Sequence, residues 1–345
     1  FPCEILWSPD DDAKYNKIRK RGISMKISVL GCGRWGSFIA WYLNKSGHDV
    51  IIWGRESSEN LKNLKNLRKN NYLELSEKIK ITSNIKEALE FSKIMVISIS
   101  AQQLRNFISE IKPILSDIQN RIFVLCMKGL EEKTGKRLSV VLKEVLGENS
   151  NVAVWVGPGH VQDFTKGIPN CMVIDSENEN TKKFLIESFS SELIRFYYGK
   201  DLIGSEIGAA AKNVMGIAAG ILDGMGFTSL KGALMSRGTR EISRLIKALG
   251  GNELSAYGLA HLGDYEATLF SPHSNNRKFG EMLVKSKNYT KLAEGVATSH
   301  ALQLLSSQTG VELPISNAVH KTVLGLVSPK DSISGLFLRS LKAEF

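Results

Sequence analysis

Gly31-Cys32-Gly33-Arg34-Trp35-Gly36 lies between a short apolar run, residues 26–30, and a helical stretch, residues 37–45. Few folds accept that order. A strand that enters a glycine turn and leaves it as a helix is the opening unit of a layered α/β sheet. The spacing gives each glycine a separate role: Gly31 allows the tight turn, Gly33 lets a pyrophosphate approach the backbone, and Gly36 lets helix and strand pack closely. A second apolar run, residues 50–53, follows Gly47-His48-Asp49. The turn therefore sits where dinucleotide phosphates rest on a helix N-terminus; a purely structural glycine turn is the alternative.

The alternation continues. Strands are expected at residues 78–82, 94–99, 121–126, 152–156 and 195–198, with helices near 85–91 and from Gln102. This rhythm predicts a doubly wound, mainly parallel sheet of Rossmann type, whose ligands lie beyond the carboxyl ends of the strands. From Asp201 onward the pattern is helical almost throughout, including residues 229–249 closed by Gly250-Gly251. We therefore expect an α/β chain with a Rossmann-type domain at residues 25–199 and an all-helical domain at 200–345. Residues 1–24 show no period and precede Met25, so they read as a poorly ordered extension or a translation-start artefact.

Two cations fall at strand ends in this scheme. Arg55 follows the second strand, where a cation suits the 2′-phosphate of NADPH and an acidic residue would suit NAD. Glu56 beside it leaves NAD open. Lys128 follows the strand at 121–126, and Gly157-Pro158-Gly159-His160 follows the next. For both cations the alternative is an ordinary surface side chain.

The helical half contains one unusual stretch, Glu206-Ile-Gly-Ala-Ala-Ala-Lys212-Asn-Val-Met-Gly-Ile-Ala-Ala-Gly220-Ile-Leu-Asp223. Helical spacing gathers Gly208, Lys212, Gly216, Gly220 and Asp223 near one face, a strip that lets something approach the backbone closely. An ammonium in such surroundings is costly unless it is paired or can shed its proton, so Lys212 is a candidate catalytic residue. The competing reading is a buried helix with a close neighbour and a lysine that reaches to water.

Composition narrows the class. The chain has 345 residues, 43% hydrophobic and 23% charged, enough for two domains with cores of their own. Cys3, Cys32, Cys126 and Cys171 form no Cys-x-x-Cys pair, and the six histidines have no metal-ligand spacing, so no metal site is expected. No apolar run nears the roughly 18 residues that span a bilayer, and a cytoplasmic protein is expected. The formal charge is +10, of which residues 1–24 carry +1, leaving a basic body suited to small anionic ligands. Its densest basic cluster, residues 62–69, lacks interleaved aromatics, so nucleic acid is not expected as a partner.

Taken in order, the glycine turn, Lys128-Gly129-Leu130-Glu131, Gly157-Pro158, Gly208-Ala-Ala-Ala-Lys-Asn-Val and Leu259-Ala-His-Leu-Gly-Asp264 make a chain that resembles the bacterial NAD(P)-dependent glycerol-3-phosphate dehydrogenases. So do Ser236-Arg237-Gly238, Ser274-Asn275-Asn276-Arg277-Lys278-Phe279-Gly280 and Gly310-Val311-Glu312-Leu313-Pro314-Ile315. The resemblance runs from Met25 to about Val327. It implies reversible reduction of dihydroxyacetone phosphate to sn-glycerol 3-phosphate, a supply reaction for glycerophospholipids, with NADPH preferred and NAD usable. A homodimer is a further expectation.

The same resemblance implies roles residue by residue. Lys212 falls on the proton acceptor. Lys128, Gly157, Gly159, Lys212, Asp264, Ser274, Asn275, Asn276 and Arg277 fall on or beside substrate contacts. Gly31, Gly33, Arg34, Trp35, Gly36, Arg55, Lys128, Val161, Asn275, Leu292 and Glu294 fall on or beside cofactor contacts. Three positions depart from the family pattern: Gly159 stands where Ser or Thr is common, His261 where glycine is common, and Asn275 where arginine is common. Asparagine cannot grip a phosphate bidentately, so Arg277 is the expected compensating cation, with the Ser274 hydroxyl and backbone amides as further donors. Two rivals stay open: a related two-domain 3-hydroxyacid or sugar-acid dehydrogenase, and a nucleotide-binding regulator without turnover.

Overall fold

A computed structural model describes residues 24–341 and 343. The expectation for residues 1–24 lies outside the described residues except for Ser24.

Eight strands form one sheet: β1 (Lys26–Leu30), β2 (Asp49–Trp53), β3 (Lys80–Thr82), β4 (Ile94–Ile97), β5 (Ile122–Leu125), β6 (Asn151–Val156), β7 (Asn170–Ser176) and β8 (Ile194–Tyr198). Their order is β3-β2-β1-β4-β5-β6-β7-β8. β3 through β6 run parallel, β7 turns antiparallel to β6, and β8 is parallel to β7. The sheet is thus doubly wound and mainly parallel, as expected. Its order reverses between β1 and β4, the switch point at which such sheets open a crevice.

Helices α1 (Arg34–Lys45), α2 (Glu59–Leu67), α3 (Ile85–Phe91), α4 (Leu104–Ile111), α5 (Leu138–Leu146), α6 (Val161–Thr165) and α7 (Glu179–Phe189) cover its faces. The central strands are buried on both sides, which is why they read as unbroken apolar runs such as Ile-Met-Val-Ile in β4. One face packs Phe38, Tyr42, Trp155 and Phe189 into a core; the other packs Phe107, Phe123 and Leu142.

After β8 the chain is helical: α8 (Leu202–Gly224), α9 (Lys231–Ala248), α10 (Asn275–Val284), α11 (Glu294–Thr309), α12 (Pro314–Val323) and α13 (Pro329–Phe337). α8 is buried almost throughout, which suits a helix whose residues are small or apolar all round. Its small-residue strip is filled by other helices. A Cβ on Gly220 would stand 1.9 Å from the Arg277 carbonyl oxygen, and one on Gly280 would stand 2.1 Å from the Ile217 carbonyl oxygen. The close approach read from the sequence is therefore that of α10.

The start of α8 is tied to the sheet domain through Glu206. Its carboxylate accepts hydrogen bonds from the Ser139 amide (2.9 Å), the Ser139 hydroxyl (2.6 Å) and Arg137 Nη1 (2.6 Å). These bonds give a buried carboxylate the partners it needs and fix where Lys212 emerges. Among the described residues no helix is long and apolar enough to cross a membrane.

Candidate active site

The glycine turn is built as its spacing demands. Gly31 has φ +125°, a conformation other residues avoid, and a Cβ there would fall 2.1 Å from the Ser98 carbonyl oxygen. A Cβ on Gly36 would fall 2.0 Å from the Gly31 carbonyl oxygen, so α1 can lie against the turn only with glycine there. Gly33 differs, because its Cβ position meets nothing within 4 Å. It caps α1 with no side-chain hydrogen bond and no acidic residue in the first turn. That leaves a helix N-terminus facing open space, the arrangement that accepts a pyrophosphate.

In front of the turn lies a cleft of about 430 Å3, lined in part by Gly31, Gly33, Arg34, Trp35, Arg55, Leu292 and Glu294. Residues drawn from both halves of the chain thus share one cavity. Arg55 is exposed and its side chain has no ion pair or hydrogen bond among the described residues, whereas Glu56 is engaged by Lys65 at 3.1 Å. Glu294 is fixed at the far wall by the Ser100 hydroxyl (3.1 Å) and the Ala101 amide (3.3 Å), and burial raises its pKa. Gly36 lies beneath the turn, and the Val161 side chain is buried in the core, so either could meet a ligand only through its backbone.

Beyond the cleft, three charged side chains converge. Lys128 Nζ and Lys212 Nζ lie 2.7 and 2.8 Å from the same oxygen, Oδ2, of Asp264. Lys128 also donates to the Gly157 carbonyl at 2.6 Å, and Lys212 to the Thr268 hydroxyl at 2.7 Å. Asp264 is only 1% exposed, and its second oxygen, Oδ1, has no hydrogen-bond partner among the described residues. Burial lowers the Lys212 pKa to about 8, with the positive charge of Lys128 adding to the fall and Asp264 opposing it.

Sequence reasoning missed two neighbours. Thr268 sits on a π-helical turn, Glu266–Phe270, and no motif marks it; such turns do cluster at functional sites. Asn213 donates to the Lys128 carbonyl (2.8 Å) and accepts from Asn276 Nδ2 (3.0 Å). Its signal was its place beside Lys212. Asn276 Oδ1 in turn accepts the Gly295 amide at 2.9 Å, so Asn276 joins α8, α10 and the start of α11.

The start of α10 gathers Ser274, Asn275 and Arg277. Ser274 caps the helix by accepting the Arg277 amide (3.3 Å), and the Asn275 side-chain oxygen accepts the Tyr289 hydroxyl (3.0 Å). Arg277, however, sends its guanidinium to Asp223 (2.7 Å), the Ser271 carbonyl (3.1 Å) and Glu281 (3.6 Å). These contacts hold α10 against the end of α8.

The other two departures have local causes. Gly159 has φ +144°, and a Cβ there would stand 2.2 Å from the Phe164 ring, so no larger residue fits this turn. His261 is fully buried, and its Nδ1 lies 2.8 Å from the Gly208 carbonyl, one turn before Lys212. A carbonyl can only accept, so Nδ1 carries the proton and Nε2 accepts from the Tyr265 hydroxyl at 2.7 Å.

Comparison with known proteins supports the same grouping. The model described as NAD-dependent glycerol-3-phosphate dehydrogenase N-terminus matches residues 26–182, and that of the C-terminus matches residues 201–334. The glycerol-3-phosphate dehydrogenase (NAD(P)+) of Fusobacterium nucleatum is 36% identical, over 93% of this chain and 98% of that protein. Its counterpart from Thermoanaerobacter is 35% identical, over 93% and 99%. The crystal structure of glycerol-3-phosphate dehydrogenase from Coxiella burnetii aligns with TM-score 0.83 at 27% identity, covering 92% of this chain and 99% of that one. With both halves matched in order and relatives aligned almost end to end, the chain belongs to the NAD-dependent glycerol-3-phosphate dehydrogenase family.

Proposed function

We propose that this protein is an NAD(P)-dependent oxidoreductase that interconverts dihydroxyacetone phosphate and sn-glycerol 3-phosphate, and that Lys212 handles the proton. The observation that carries the reading is the sharing of one Asp264 oxygen by Lys128 and Lys212 beside the dinucleotide cleft. When bound, a dihydronicotinamide supplies the hydride that reaches C2 of the ketone. The carbonyl π electrons then move onto the oxygen, and the Lys212 ammonium stabilises that charge and delivers the proton that completes the alcohol. Lys212 is left as a neutral amine, which recovers its proton from solvent.

In the oxidative direction the roles reverse. A pKa near 8 leaves Lys212 able to serve in either direction near neutral pH. Asp264 orients both lysines and offers its unpartnered Oδ1 to a substrate hydroxyl. Lys128 stands between the cofactor cleft and the substrate, and the Gly157–Gly159 turn sets its height. Gly31, Gly33, Arg34, Trp35, Leu292 and Glu294 hold the dinucleotide, joined by the backbones of Gly36 and Val161; Ser274, Asn275 and Asn276 receive the phosphorylated end.

Arg55, unpartnered at the end of β2, favours NADPH over NADH because it can pair with the 2′-phosphate. The residue 199/200 division, a cytoplasmic setting and a homodimer complete the reading. The test is to follow the near-ultraviolet absorbance of NADPH with dihydroxyacetone phosphate and with a panel of keto acids. Consumption confined to the triose phosphate supports the proposal, while turnover of a keto acid alone, or cofactor binding without turnover, contradicts it.

A further inference from the structure

We propose that His160 and His273 form a phosphate-binding pair that fixes the phosphorylated end of the substrate beside the start of α10, where the Arg277 guanidinium is already paired. The inference deepens the function proposed above and rests on it. Of the first three residues of α10, Asn275 and Asn276 are neutral, and Arg277 is already bound to Asp223 and Glu281. A phosphate dianion placed there gains from donors beyond Ser274 and the backbone amides.

The two imidazoles stand at that place. His273 immediately precedes Ser274, the cap of α10. Its ring meets that of His160 edge to face, with centroids 5.7 Å apart and planes at 73°. His160 follows the Gly157–Gly159 turn that carries the Lys128 contact, so the pair joins the sheet domain to the start of α10. The His160 Nε2 atom is buried and has no hydrogen-bond partner among the described residues.

A buried ring nitrogen with no protein partner can take one from a bound group. The charged groups facing His160 say what kind. Lys212 on α8 and Arg34 on α1 press their positive charge on it; among the groups that act on it, Asp163 on its own helix is the one acid. Burial and these cations together lower its pKa to about 4, so the ring is neutral, and the tautomer with its proton on Nε2 offers an N–H rather than a charge. An N–H pointing into a positive pocket suits an anionic oxygen. His273, which is exposed and packs edge to face on His160, supplies a second donor. The ligand is thus a phosphomonoester whose carbonyl end reaches Lys212.

The experiment compares wild type with His160→Gln, His273→Ala and His273→Ala/Asn275→Arg. KM and kcat are measured at saturating NADPH with dihydroxyacetone phosphate and with unphosphorylated dihydroxyacetone, and melting temperature checks the fold. Each single variant should raise KM for the phosphate ester about tenfold or more with kcat little changed, the size of one lost charge-assisted hydrogen bond. The defect should be confined to the phosphorylated substrate, and the added arginine should restore KM. Unchanged KM in both single variants, or equal losses with both substrates, overturns the pair. Should wild type turn over neither substrate, the enzyme reading fails on its own. The pair is then judged by calorimetric titration with inorganic phosphate: binding weakened in both single variants sustains it, and binding equal to wild type overturns it.

Discussion

Lys128 and Lys212 reach the same oxygen of Asp264 from opposite halves of the molecule, at 2.7 and 2.8 Å. One carboxylate therefore joins the two halves at the point where the proposed mechanism transfers the proton. It also sets the acidity of Lys212, because its charge favours the ammonium while burial and Lys128 oppose it. Reduction needs that ammonium, so the reductive kcat should fall as pH rises through about 8, and the oxidative kcat should rise over the same range. In Asp264→Asn the ammonium loses its counter-charge and the reductive limb should move to lower pH. A pH–rate profile for both proteins checks this, and an unshifted limb contradicts it.

Arg55 has no competing partner among the described residues, in contrast to Glu56 beside it. Arg55→Ala should weaken NADPH binding by roughly 1.5 to 3 kcal/mol and leave NADH binding little changed. That is about one to two decades of lost selectivity, read by titrating each cofactor against both proteins. Equal discrimination in the variant would remove Arg55 from the site.

Gly220 and Gly232 make a matched pair for stability. A Cβ on Gly220 meets the Arg277 carbonyl at 1.9 Å, whereas one on Gly232, in the first turn of α9, meets nothing within 4 Å. Gly220→Ala should cost about 1–3 kcal/mol or more by forcing α10 off α8. Gly232→Ala should gain up to roughly 1 kcal/mol from helix propensity. Denaturant unfolding of the two variants decides both signs.

Burial holds the pKa of His261 down to about 4, from an ordinary 6.5. Between those values the unfolded chain takes up a proton that the folded protein refuses. The stability present above about pH 6.5 is therefore lost as pH falls toward 4. This residue alone should cost about 2 kcal/mol between about pH 7 and about pH 5. His261→Gln should show a shallower loss over that range in paired unfolding curves.

The sheet domain was legible because its signals are local. The apolar run at residues 26–30 and the helix at 85–91 coincide with β1 and α3. β7 escaped, since Asn170 to Ser176 is a mixed run that pairs antiparallel with β6 and breaks the alternation. Long-range pairing was the harder part. The strip on α8 announced a close neighbour but could not say that α10 supplies it. The ion pair between Arg277 and Asp223 spans 54 positions, so no local pattern announced that this cation also makes a helix contact. Thr268 left no trace because a π-helical turn has no sequence period.

Lys212→Met tests the central claim most directly. Methionine keeps the apolar volume of the stem within α8 and removes the ammonium from Asp264 and Thr268. kcat, NADPH affinity and melting temperature should be measured on the same preparation. The account predicts a fall in kcat of at least about a hundredfold, NADPH affinity close to wild type because the glycine turn is untouched, and a folded protein. A near-normal kcat with an unchanged or higher melting temperature would contradict it and leave Lys212 as a packing residue.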